Sequence, residues 1–355
     1  MKFALSGYWG AGNLGDESIL AGTLAALRKC GVEPAVLSAN PADTEAQHGV
    51  SAFHRYRPRG IARALKSASL LLSGGGGLLQ DTTSLRSLLY YLSVLRLARG
   101  RGVPTMLFAQ GIGPLRRRMS RALVRREADA ARRVTVRDQA SRELLSHCGV
   151  RREIEVTADA SFLLEPPDER CAGQASAMFR DLRRPLVGAA FRPWGDMKWV
   201  GGVGDALRGI SHSLGATIVF FAFDRTQDCG LAERLARECE GRALVASVQT
   251  PAEMLAAFSS LDMVIALRLH GAILSLLAGR PLVMLSYDPK CDAFCRDAGL
   301  DDPLALASIA SDALVVHALR CWDERDQRGA AAQSLRTVMR ARAQRNVEIA
   351  LGAAS

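Results

Sequence analysis

Lys2-Phe3-Ala4-Leu5-Ser6-Gly7-Tyr8-Trp9-Gly10-Ala11-Gly12-Asn13-Leu14-Gly15-Asp16-Glu17 passes from a short apolar run through a glycine-rich turn into a stretch with helical spacing. A strand that enters a helix through glycines opens a β-α unit, and the same grammar recurs outward from it. Apolar runs predict strands over 2–6, 34–38, 69–73, 103–109 and 134–136. The polar, proline-bearing segment Glu165-Pro166-Pro167-Asp168-Glu169-Arg170 then predicts a domain junction. Beyond it, strands are expected over 185–191, 216–222, 243–248, 262–267 and 281–286, and 330–351 reads as one long helix. The expectation is an α/β protein of two Rossmann-like domains, 1–168 and 169–355, facing each other across a cleft, with the final helix free to pack back on the first domain. Ligands belong at the carboxyl ends of such strands.

Bulk properties agree with two packed domains. The 355 residues exceed the usual span of one core. With 48% hydrophobic and 23% charged residues, a disordered or fibrous chain is excluded. The net charge of +10 favours anionic partners, yet aromatics are only 6% and nowhere interleave with a basic run, which argues against nucleic acid. Eight cysteines are scattered, and the close pair Cys291 and Cys295 lacks the further ligands of a zinc site. Free thiols in a reducing cytoplasm are expected, with no metal and no cofactor. Neither a signal peptide nor an apolar run near the roughly 20 residues of a membrane span is present, so a cytoplasmic location is expected.

Three glycine loops follow strands of the first half. In the opening stretch Gly10, Gly12 and Gly15 spell G-x-G-x-x-G, a dinucleotide fingerprint when it joins strand to helix. Tyr8 and Trp9 separate it from the strand, and Asp16 and Glu17 put carboxylates where a pyrophosphate would bind. A plain turn with Asp16 capping the helix is the structural alternative. The second loop, Ser73-Gly74-Gly75-Gly76-Gly77-Leu78-Leu79-Gln80-Asp81, spends four glycines, which suggests close approach of a ligand to backbone amides. The third is Ala109-Gln110-Gly111-Ile112-Gly113-Pro114. Gly12, Asn13, Gly75, Gly76 and Gln110 are the binding candidates of these loops.

In the second half, Ala266-Leu267-Arg268-Leu269-His270-Gly271 leaves a strand and enters a helix, and Ser286-Tyr287-Asp288-Pro289-Lys290 follows the next strand. Alternation puts Arg268 and His270 on one side if the extended form persists. Arg268, His270 and Lys290 suit a compact anion, as do Arg137 in Val136-Arg137-Asp138 and Arg192 in Phe191-Arg192-Pro193-Trp194.

Taken in order, the segments from residue 7 to residue 290 resemble the polysaccharide pyruvyl transferase family, most closely its CsaB type. The resemblance implies a GT-B-like fold, phosphoenolpyruvate as donor and a pyruvate ketal as product. It also implies an N-acetylmannosamine unit of a lipid-linked secondary cell-wall glycan as acceptor, for surface-layer protein anchoring. It carries over Arg137, His270 and Lys290 as donor-binding residues. On this reading Arg268, Lys290, Arg137 and Arg192 hold the anion, His270 meets the phosphate or acts as acid, and Asp16 and Asp81 are candidates for the base. The arginines between 116 and 126 are weighed as a peripheral contact with anionic lipid against a solvated helix face. A nucleotide-sugar glycosyltransferase and a non-catalytic sugar-phosphate binding protein are the competing classes.

Overall fold

The computed structural model describes residues 1–82 and 84–354. The chain forms two compact units, Met1–Leu164 with Met339–Ser355, and Glu165–Val338. The first unit holds β1 (Lys2–Trp9), β2 (Glu33–Ser38), β3 (Ser51–His54), β4 (Leu70–Gly74), β5 (Thr105–Gln110), β6 (Arg133–Val136) and β7 (Ile154–Val156), in the parallel order β3-β2-β1-β4-β5-β6-β7. The second holds β8 (Leu186–Ala190), β9 (Thr217–Phe220), β10 (Ala243–Val245), β11 (Met263–Ala266), β12 (Leu282–Ser286) and β13 (Leu304–Ala305), ordered β10-β9-β8-β11-β12-β13.

Helices cover both faces of a parallel sheet, so its inner strands read as unbroken apolar runs. Every residue of β4, β5 and β8 is buried. Each sheet reverses its winding once, between β1 and β4 in the first unit and between β8 and β11 in the second. Connections there leave in opposite directions and open a crevice at the carboxyl ends of the strands. The residues singled out from sequence lie at those ends, in the last strand residue, the loops and the first helical turns.

Three details differ from expectation. Strand β1 runs on to Trp9, its register against β2 shifting between Ser6 and Trp9, so Gly10 directly follows the strand. Asn13, not Asp16, caps the helix Leu14–Lys29, because it keeps extended backbone and its Oδ1 accepts from Gly15 N (3.0 Å) and Asp16 N (3.4 Å). The last helix spans Arg325–Ala354, and its turns from Met339 belong to the first unit. Among the described residues no helix is long and apolar enough to cross a membrane.

Asn346 fastens those last turns. It is fully buried; the Thr157 hydroxyl donates to its Oδ1 (2.7 Å), and its Nδ2 donates to the Ala158 carbonyl (3.2 Å). Removing the amide strands buried partners, which costs about 1–3 kcal/mol. Asn346→Ala is therefore expected to lower unfolding stability by that amount in denaturant melts. Because alanine forms helix better than asparagine, unchanged stability in Asn346→Ala would show that these hydrogen bonds do not fasten the helix.

Candidate active site

At the head of the first sheet, the fold itself uses most of the glycines. Gly10 has φ +68°, and a Cβ there would lie 2.0 Å from Ser38 Oγ; its N–H donates to Glu17 Oε1 at 2.8 Å. The loop thus answers its own amide with a buried carboxylate, which leaves less for a pyrophosphate to do. After β4, a Cβ on Gly74 would strike the Phe108 carbonyl (2.3 Å). Gly75 (φ +95°) lies under the Trp9 ring, and a Cβ on Gly76 (φ +72°) would come within 2.7 Å of Asp16 Oδ1. The four-glycine run is therefore set largely by internal packing, contrary to the expectation that ligand approach explains it. Gly77 and the exposed Gly12 have open space where a Cβ would go.

Gln110 is fully buried and ties the second and third loops together through Nε2 to the Gly76 carbonyl at 3.1 Å, while its Oε1 is buried without a hydrogen-bond partner. Arg137 lies flat against Gly111, with Nη1 on Asp159 Oδ2 (3.0 Å) and Nε on Asp138 Oδ2 (3.3 Å). Burial pulls its pKa down, but the two carboxylates outweigh it and hold the guanidinium above its ordinary value. It enters any ligand site already paired with two carboxylates, not as the bare cation expected. Asp81 is corrected more sharply. Its oxygens accept from Arg116 N and Arg117 N, each at 2.8 Å, fixing the turn into the helix Arg118–Ala130. Burial raises its pKa, but these bonds outweigh it and hold the carboxyl below the usual 3.8; it is a poor base. Asp16, half-buried above Gly76, remains at the mouth of the loops.

In the second unit, Arg192, His270 and Lys290 follow β8, β11 and β12, three adjacent strands. The helix Leu269–Leu277 begins directly after Arg268, so the extended form that would align Arg268 with His270 does not persist. Arg268 is buried and its Nη2 pairs with Asp228 Oδ1, while Asp228 Oδ2 accepts from Phe223 N (3.0 Å) and Asp224 N (2.9 Å). Its charge is neutralised within the fold, a correction to its expected place in the anion set. His270 is half-buried in the first turn of that helix. The turn is drawn onto the sheet at Gly271, where a Cβ would come within 2.7 Å of Ala190 Cβ.

Two cations stand differently. The Arg192 guanidinium lies 5.7 Å from the ring centres of both Trp194 and Tyr287, with Nε buried and unpartnered. Lys290 Nζ lies 5.1 Å from the same Tyr287 ring and 3.6 Å from Asp288 Oδ2. Tyr287 and Trp194, whose ring centres lie 4.6 Å apart with their planes tilted by 54°, are the functional candidates that the sequence contains but that its motifs did not assign. Aromatic residues directly beside a loop cation were the available signal. Asp228 gave none, since an acidic residue in a first helical turn is ordinary. Burial pushes the Cys291 and Cys295 thiols up to about 11 and about 12, which makes them inert packing groups. A 360 Å³ cavity lined by Arg280, Leu282 and Arg328 lies at the amino end of β12, away from these loops.

Residues 13–289 match a family model described as polysaccharide pyruvyl transferase. No curated protein gives a match. Among solved structures, the chain is similar to Anabaena Alr3699/HepE in complex with UDP and glucose (TM-score 0.65, 13% identity, 99% of each chain). It is similar also to UDP-GlcNAc 2-epimerase from Neisseria meningitidis bound to UDP-GlcNAc (0.66, 11%, 99% of this chain and 100% of that one). A glycosyltransferase from Rickettsia africae is a third (0.62, 9%, 99% and 98%). At such identities the likeness is one of fold: an α/β architecture with two parallel sheets, GT-B-like.

The clamp at Asp81 is open to test by pH. A carboxyl whose pKa is depressed by folding adds stability above its unfolded value, and that stability is lost as pH falls through the folded value. Asp81→Asn is expected to cost about 1–2 kcal/mol at neutral pH. The gap from wild type should close below pH 3.8. A gap independent of pH in thermal melts would mean that side-chain shape, not charge, holds the turn.

Proposed function

Because the chain belongs to the polysaccharide pyruvyl transferase family, we propose that it moves the enolpyruvyl group of phosphoenolpyruvate onto two hydroxyls of a glycan sugar, leaving a pyruvate ketal and phosphate. The acceptor of this proposal is an N-acetylmannosamine unit of a lipid-linked secondary cell-wall polysaccharide precursor. Its ketal would serve surface-layer attachment, as in the CsaB type. The observation that carries the donor half is the convergence of Arg192 and Lys290 on the Tyr287 ring, with His270 on the strand end between theirs. Asp288 answers part of the charge of Lys290, and Arg192, the second cation at the ring, leaves a positive excess that a small anion would meet. Phosphoenolpyruvate offers a phosphate and a carboxylate.

The chemistry asks for three things. The methylene carbon gains a proton and becomes methyl, and positive character develops at the central carbon. One sugar hydroxyl adds there and loses its proton. The second hydroxyl then displaces phosphate, which leaves with a proton as hydrogen phosphate, and the ring closes. Arg192 and Lys290 hold the anion in this scheme, His270 supplies the proton or meets the leaving phosphate, and Asp16 receives a hydroxyl proton. Arg268 and Arg137 keep their loops in place through their carboxylates. The exposed arginines 116, 117, 118, 121, 125 and 126 form a face suited to the anionic membrane on which a lipid-linked acceptor resides.

Incubation with phosphoenolpyruvate and an N-acetylmannosamine-containing acceptor is expected to release phosphate and add a pyruvate ketal, read by mass spectrometry. The solved neighbours with UDP or UDP-sugars favour one rival, a nucleotide-sugar transferase. Release of nucleoside diphosphate from a sugar nucleotide, with phosphoenolpyruvate untouched, would select it. Arg192→Ala and Lys290→Ala should each raise KM for phosphoenolpyruvate by about 10–100-fold, the worth of one charged hydrogen bond. His270→Ala should lower kcat; full turnover in that variant removes His270 from the scheme. Replacing Arg118, Arg121, Arg125 and Arg126 by glutamine should abolish sedimentation with anionic vesicles, and unchanged sedimentation would leave the segment a solvated face.

A further inference from the structure

Four of the five tyrosines of the chain, Tyr8, Tyr56, Tyr90 and Tyr91, gather in the first unit around Arg55. Arg55 directly follows β3, and its N–H donates to the Ser38 carbonyl at the end of β2 (2.9 Å), which locks its backbone to the sheet. The Tyr90 hydroxyl donates to the Arg55 carbonyl at 2.8 Å. The guanidinium carbon lies 4.9 Å from the Tyr8 ring centre and 4.8 Å from that of Tyr56. Tyr56 in turn packs edge-on against Tyr90 at 5.0 Å.

What sets Arg55 apart is the lack of an anion. The residue is only 5% exposed, yet among the described residues no carboxylate pairs with it, and its Nε and Nη1 are buried without a hydrogen-bond partner. Elsewhere the fold supplies carboxylates to buried arginines: Asp138 and Asp159 to Arg137, Asp228 to Arg268. Ring faces attract a cation but do not accept its N–H groups, so those donors are left unmatched. A planar guanidinium in this condition matches a phosphate or carboxylate edge. Beside it Tyr56 is 60% exposed and offers a flat apolar face with a polar tip, the complement of a sugar ring. Tyr91 links the cluster to the glycine loops: burial raises its pKa, Arg55 pulls it down and Asp16 pushes it up, so both charges act on one phenol.

We propose that Arg55, Tyr8 and Tyr56 form a subsite for a glycosyl phosphate, the phosphate against Arg55 and the sugar ring on Tyr56. This rests on the proposal above that Asp16, in the same unit, receives a proton from a hydroxyl of the acceptor. It adds a recognition element for the phosphate-bearing sugar of the acceptor. Lipid-linked and soluble sugars share that chemistry.

Calorimetric titration of the full-length protein with N-acetylglucosamine 1-phosphate, N-acetylglucosamine, inorganic phosphate and a prenyl-diphosphate-linked N-acetylglucosamine tests it. The sugar phosphate should bind at least tenfold more tightly than sugar or phosphate alone. Arg55→Met should remove that advantage, and Arg55→Lys should restore part of it. Tyr56→Ala, at an exposed position that leaves the core intact, should weaken the sugar phosphate and spare inorganic phosphate. Tighter binding of the prenyl compound assigns the site to a lipid-linked ligand, and equal binding assigns it to a soluble one. Sugar-phosphate affinity unmoved by Arg55→Met and Tyr56→Ala overturns the subsite. Failure of the pyruvyl-transfer reading appears separately, as absent turnover of phosphoenolpyruvate by a protein whose sugar-phosphate binding still depends on Arg55.

Discussion

A guanidinium taken out of water keeps its charge and its N–H donors, and its burial is tolerable only where acceptors meet it. In an arginine-rich chain this constraint sorts the cations. Arg137 sits on Asp138 and Asp159, and Arg268 on Asp228; each pair fixes a loop at a strand end. Those arginines become part of the scaffold. Arg192 and Arg55 are held by aromatic rings instead, with buried N–H groups unmatched. The difference between a carboxylate neighbour and a ring neighbour separates cations neutralised within the fold from cations whose charge the fold leaves unbalanced.

Sequence could not make that separation, because the partners come from elsewhere in the chain. Asp159 is 22 residues from Arg137, and Asp228 is 40 residues from Arg268. What sequence reads well is local. The inner strands β1, β4, β5, β8 and β11 announce themselves as buried apolar runs between helical patterns. The strands that escape notice, β3, β7 and β13, all end their sheets and have a neighbour on one side only. None is fully buried, so no apolar run marks them. The remaining edge strand, β10, was legible but ends at Val245, three residues before the expected 248.

Glycine loops carry a second ambiguity. A glycine is required wherever a side chain has no room, and the sequence does not say what takes the room. At Gly74, Gly75 and Gly76 it is Phe108, Trp9 and Asp16. At Gly10 it is Ser38, and the amide turns to Glu17. These contacts draw the loops after β1 and β4 together at the place where the sheet reverses its winding. The close packing therefore fixes these loops by itself, and it sets the Asp16 carboxylate at their mouth.

The two sheets share one winding plan but furnish their strand ends with different chemistry. The second unit leaves Arg192 and Lys290 around Tyr287, cations suited to a small, multiply charged donor. The first sets Asp16 against glycine backbone and also holds tyrosine rings around Arg55, which no carboxylate pairs among the described residues, groups suited to a hydroxyl-bearing ring with one anionic substituent. Were both substrates simple anions, two similar sets of cations would be expected. The asymmetry fits a reaction in which one partner brings the phosphate that departs and the other brings hydroxyls that must lose protons.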